Sequence, residues 1–359
     1  MPFSRDSEER NSKHNFVLGE QSLRAYLAGG NVRFLEDAEA SFDAISRNDK
    51  RYDTARFYLG ITKTQLRKTN ESIPILEELR RRTPSSTSSS ELADKIALQL
   101  AYAHIKTYTE AGYEAAETQL QELENTAKVS GNRALLGESQ AIHVFLYSVM
   151  AGRSKQEARR PEFARKSLEL GEELLRSAPF SPEIRFEAYN AMGIAWMRIA
   201  EAGWDGFAHR DNSWTGAQDN YDEALRIIPN SVRVLQNLAK LRMLQVADGA
   251  QGDVSALLED AKGYCARSLT VNDQDQYPYL ELARIAAAQG DAKAALDAVR
   301  TGRTRPGRVD EDDWMRVETV AKDFVAKAAK RKLKAEVKPD DASAKLILLY
   351  LDGKRNSWK

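Results

Sequence analysis

The chain has 359 residues, of which 42% are hydrophobic and 30% charged, enough apolar material for a core and too much for a chain disordered throughout. Its 53 lysines and arginines equal its 53 aspartates and glutamates, so no global field draws it to nucleic acid or to an acidic membrane, and any electrostatic recognition is local. The single cysteine, Cys265, excludes an intramolecular disulfide framework and a thiol zinc cluster, and fits a reducing compartment.

The first fifteen residues, Met1 to Asn15, are rich in charge and serine and lack the apolar run of a signal peptide. No stretch reaches the roughly eighteen uninterrupted apolar residues of a membrane helix. The expectation is a flexible tail over 1–15 on a soluble, cytoplasmic chain. From Phe16 almost to the end, apolar residues recur at spacings of three and four, and strand-like alternation is hard to find, so an all-α chain is predicted.

Taken in order, Gly29-Gly30-Asn31 closes the first helix. Asp53 to Pro84 reads as a helix pair, with Leu59-Gly60 in the first helix, Leu76 and Leu79 in the second, and Pro84 at its end. The segment TPSSTSSS, 83–90, offers the backbone many local hydrogen-bond partners and is predicted to be a polar loop. Leu100 to Leu123 and Leu135 to Leu175 are weaker helix pairs. Tyr189 to Trp196 begins a further pair, whose second helix runs through Ala217 to Pro229-Asn230. Between the two, residues 201–214 form an aromatic insertion that holds Trp204, Phe207, His209 and Trp214. A second long connection, Ala247 to Asp253, precedes the helix of Ala261 and Cys265. Gln276 to Val309 is the fullest unit, with Leu282-Ala283 before the Gly290-Asp291 turn and Ala295 after it. A basic stretch, Lys327 to Lys338, then leads to Pro339 and a last helix, Asp341 to Leu351.

The unit at 276–309 resembles a tetratricopeptide repeat at full length, and the spacing from Gly60 to Pro84 is that of the same family. The resemblance implies a right-handed α-solenoid of antiparallel helix pairs over residues 16–335, about seven in number, in which small residues let paired helices approach closely. Residues 336–359 then hold a C-terminal capping helix, packed over the exposed end of the array, and a tail.

Nothing in the sequence proposes catalysis. His14, His104, His143 and His209 are scattered without metal-ligand spacing, and His104 and His143 read as hydrogen-bonded structural imidazoles within helices. There is no phosphate loop, dinucleotide fingerprint or nucleophile elbow. The acidic runs 310–313 and 272–276 read as helix starts, where carboxylates offset the positive end of the dipole. The lysines of 327–338 alternate with alanines at helical spacing and read as a solvated face. No enzyme activity, cofactor, metal or nucleic acid is expected.

In the family that the chain resembles, the first helix of each pair lines a concave groove that holds a partner polypeptide. Carried onto this sequence, the groove positions are Asn190, then Arg233, Asn237 and Lys240, then Arg284, a polar and cationic set suited to an acidic peptide. Tyr277 and Glu281 stand where the carboxylate clamp of chaperone-binding members needs lysine and arginine, so that activity is not assigned. Trp204 and Trp214 are a second candidate, able to bury apolar area against a partner or against the array itself. The expected function is a non-catalytic scaffold or adaptor that binds a partner protein or peptide within a larger complex. The alternative is a regulatory sensor that binds a peptide or small ligand and controls an effector enzyme in trans.

Overall fold

The computed structural model describes residues 5–29, 31–83, 90–177, 179–204, 210–249, 253–306, 309–330 and 341–351. Among these residues the chain forms sixteen α-helices and no strand. The first eight are α1 (Arg5–Gly29), α2 (Val32–Asp43), α3 (Tyr52–Gln65), α4 (Thr69–Arg82), α5 (Ser90–Ile105), α6 (Glu110–Ser130), α7 (Arg133–Arg153) and α8 (Arg160–Ser177). They are followed by α9 (Pro182–Ala202), α10 (Arg210–Ile227), α11 (Val232–Asp248), α12 (Val254–Val271), α13 (Gln276–Ala288), α14 (Ala292–Arg303), α15 (Glu311–Lys330) and α16 (Asp341–Leu351). In chain order the sixteen helices suffice for the expected seven or so pairs, with two helices left over.

Contacts divide the chain into two compact units, Met1–Arg198 and Ile199–Lys359, with the division inside α9. In the first unit each helix from α1 to α8 packs on the next, and α3 also touches α5, and α5 touches α7. In the second unit the same rule links α10 through α15, with α11 also on α13 and α13 on α15. Packing on the next and the next-but-one neighbour is what a stack of helix pairs requires, because each apolar stripe must be covered from both sides. The cores are accordingly serial: Phe57, Leu76 and Leu79 of α3 and α4 meet Ile96, Leu100 and Ala103 of α5.

Local chemistry sets the breaks. Asn31 accepts a hydrogen bond from the Arg33 N–H at 3.0 Å and starts α2. Asp291 accepts from the Ala294 N–H at 2.9 Å and starts α14 directly after Gly290. Asp275 and Asp310 do the same for α13 and α15, accepting from Tyr277 and Asp312 at 3.0 and 3.1 Å, so both acidic runs are helix starts. Within the pair α3/α4, a Cβ on Gly60 would stand 2.6 Å from a Leu76 methyl, so the missing side chain sets how closely the two helices approach.

Three features differ from the sequence reading. Helix α1 begins at Arg5, so most of the expected tail 1–15 is helical; Ser12 is buried, and Phe16 meets the Phe42 ring edge-on with centroids 6.1 Å apart. Packing on α2 thus orders a segment whose composition alone reads as solvated. The aromatic insertion 201–214 is largely helical: α9 runs on to Ala202 and α10 starts at Arg210, while 205–209, with Phe207 and His209, lie outside the described residues. Of the expected polar loop 83–90, Thr83 follows α4, Ser90 is the first residue of α5, and 84–89 also lie outside. The third is α16, which has the predicted bounds but meets α11 and α13 as well as α15, rather than the terminal helix alone.

Leu76 is fully buried over Gly60. Leu76→Ala is expected to lower the unfolding free energy by about 2–5 kcal/mol, and Gly60→Ala by about 1–3 kcal/mol through overpacking, both read from urea denaturation followed by helical circular dichroism.

Candidate partner-binding surface

In the second unit α11, α13 and α15 lie side by side and form a face built from the first helices of successive pairs. α16 lies across that face. Its Ala344, Ile347, Leu348 and Leu351 recur at i, i+3, i+4 and i+7, all are buried, and they join the same core as Met243, Ala247 and Trp314. Each of the three larger side chains contributes roughly 1.5–3 kcal/mol by leaving water.

A polar contact fixes the crossing. The Lys345 ammonium donates to the Asp248 carbonyl at 3.1 Å, which places a cation at the negative C-terminal end of α11. Helix α11 ends on Gly249 in the left-handed region, with φ of 74°, and a Cβ there would stand 2.8 Å from the Lys345 nitrogen. Glycine at this position therefore meets two demands at once, the turn and the approach of the lysine.

Beside Leu348 a shallow crevice opens, bounded by Lys240, Met243 and Ala247 of α11 and by Glu281 and Arg284 of α13. Arg284 lies in an internal network: it reaches Glu281 at 3.2 Å and Asp313 at 3.1 Å, and Asp313 also accepts from Arg316 at 3.0 Å. Two positive and two negative groups meet there, so the charge of Arg284 is balanced within the protein. Glu281, which stands where a clamp would need a cation, is one of its counter-ions.

The sequence-predicted residues separate. Arg233 is exposed, and Asn237 and Lys240 are half-buried, along one side of α11; Lys240 and Arg284 come together at the crevice. Asn190, in α9 of the first unit, is fully buried. With its side chain out of reach of solvent, Asn190 presents nothing to a partner. Trp214 is 3% exposed on α10, next to the buried Ser213 and Ala217, whereas Trp204 is half-buried just beyond α9. Burial of the Trp214 ring favours its use in packing.

Other reactive groups are accounted for by structure. His143 Nδ1 pairs with a Glu124 carboxylate oxygen at 2.8 Å, and its ring stacks on Tyr147 with centroids 4.7 Å apart. Burial lowers the pKa of His104. Burial, with the negative Glu281 second, pushes the Cys265 thiol well above its ordinary value. Among the described residues no group of three or more His, Cys, Asp or Glu side chains is placed to hold a metal ion, and no helix is long and apolar enough to cross a membrane. The side chains of Lys327 and Lys330 and all of 331–338 lie outside the described residues.

Trp214→Ala is expected to lower stability by about 3–5 kcal/mol, while Trp204→Ala costs under half as much, as read from melting curves; equal small effects would contradict the packing role. Cys265 is expected to resist a thiol reagent at neutral pH in the native chain and to react fully in denaturant, because the thiolate is both disfavoured and inaccessible.

No family model matches the chain, and no curated protein matches it. Among solved structures it is similar to a tetratricopeptide repeat protein from Parabacteroides merdae, at 12% identity over 86% of this chain and 99% of that one, with a TM-score of 0.47. It is similar to the apo form of RapI at 13% identity, over 88% and 99% of the two chains, with a TM-score of 0.45. It is also similar to the TPR2AB domain of yeast Sti1 in its complex with pHSP90, at 13% identity over 87% and 98%, with a TM-score of 0.28.

Proposed function

We propose that the protein is a non-catalytic scaffold that holds a partner polypeptide on the face formed by α11, α13 and α15, as a subunit of a larger cytoplasmic assembly. One observation carries this reading: that face already receives a helical segment, α16, through an apolar stripe flanked by polar side chains. A surface that accepts one amphipathic helix has the shape and hydrophobicity to accept polypeptide in general.

Arg233, Asn237 and Lys240 follow one another at spacings of four and three along α11, which puts them on one side of the helix. They suit an acidic stretch of the partner through charge-assisted hydrogen bonds. Arg284 is left to its internal counter-ions, so it contributes rigidity to the face rather than charge to the partner.

The test is affinity purification from the native host with the wild-type chain and with an Arg233→Glu/Asn237→Ala variant in parallel. A stoichiometric protein companion is expected with the wild type and a loss of about tenfold or more with the variant at an unchanged melting temperature. Equal recovery with both chains, or no companion with either, would sink the assignment.

A further inference from the structure

Helix α16 has eleven residues, short of the roughly 12–15 at which an isolated helix becomes even marginally stable in water. Its helical form therefore depends on the face beneath it. It is joined to the array through residues 331–340, and its seating includes a buried stripe, Ala344, Ile347, Leu348 and Leu351, and the bond from Lys345 to the Asp248 carbonyl. That combination is the anchor pattern of a helix lying in a groove, with a polar contact to set direction.

We infer that the face formed by α11, α13 and α15 is a docking surface for an amphipathic helix of a partner protein, and that α16 is a competitor built into the chain that occupies it in cis. This deepens the scaffold reading and rests on it. The partner's helix has the chemistry of α16: apolar residues at i, i+3, i+4 and i+7, and a cation at i+1 that takes the place of Lys345 at the C-terminal end of α11. Met243 and Ala247 supply the apolar floor, and Gly249 leaves room for the cation. Because the tethered helix holds the surface for most of the time, an incoming helix binds with its intrinsic affinity reduced by the fraction of chains that are open.

The experiment uses the full chain and a fluorescent synthetic peptide of residues 340–354 as the probe, with binding read by anisotropy. Ile347→Asp/Leu348→Asp in the chain dislodges α16 from its seat. Lys345→Glu, a milder change, sets a carboxylate against the carbonyl end of α11. The double variant is expected to bind the peptide at least about tenfold more tightly than the wild type, with Lys345→Glu between the two. A peptide carrying the same two aspartates is expected not to bind. Should the double variant lose its helical signal, Lys345→Glu alone decides.

Failure of the folded variants to bind the peptide, or equal binding by wild type and variants, overturns the inference. It does so without touching the scaffold reading, whose companion is scored separately with residues 233 and 237. A concentration-dependent dimer of the wild type that both variants abolish would assign the surface to the α16 of a second copy and overturn the foreign partner.

Discussion

Among the described residues no helix covers its own apolar stripe, and the structure follows from that dependence. α5 needs α4 and α6 on its flanks and α3 and α7 alongside, and α13 needs the corresponding four in the second unit. Stability is therefore assembled from nearest-neighbour interfaces rather than from one enclosed centre. A substitution acts first on its own pair, as the contact between Leu76 and the bare Gly60 backbone illustrates.

The same dependence explains why a face of first helices is available at all. Each pair spends most of its apolar surface on its neighbours, and what remains along α11, α13 and α15 is a narrow strip with polar margins. α16 covers that strip by burying four side chains and by placing Lys345 on a helix end. The margins are partly self-neutralised: Glu281 and Asp313 balance Arg284 and Arg316, and such half-buried pairs act more to hold geometry than to attract charge. The fit of α16 to this surface is thus set chiefly by the shape of the strip and by the carbonyl end of α11 that receives Lys345.

The helices themselves were legible in the residues. The three-and-four spacing, the breaks at 29–31 and at Gly290-Asp291 and the bounds of α16 are local facts that a chain reveals through periodicity and turn chemistry. What depends on tertiary partners was not. The ordering of α1 from Arg5 rests on α2, and Trp214, read in a connection, falls inside α10 and is buried there. Asn190 occupies a groove position by repeat counting, but its side chain is interior. Nor does an i, i+3, i+4, i+7 stripe on α16 specify which helices it will cover. The amphipathic pattern says that a partner is needed, and only the packing of α11, α13 and α15 names it.

Seating α16 across three helices also governs how the protein behaves in solution. A chain cut short before Asp341 would leave Met243, Ala247 and the strip around them facing water, an adhesive patch of the kind that drives self-association. Colloidal solubility is in this sense a property of the eleven residues of α16 rather than of the balanced charge that the rest of the chain carries.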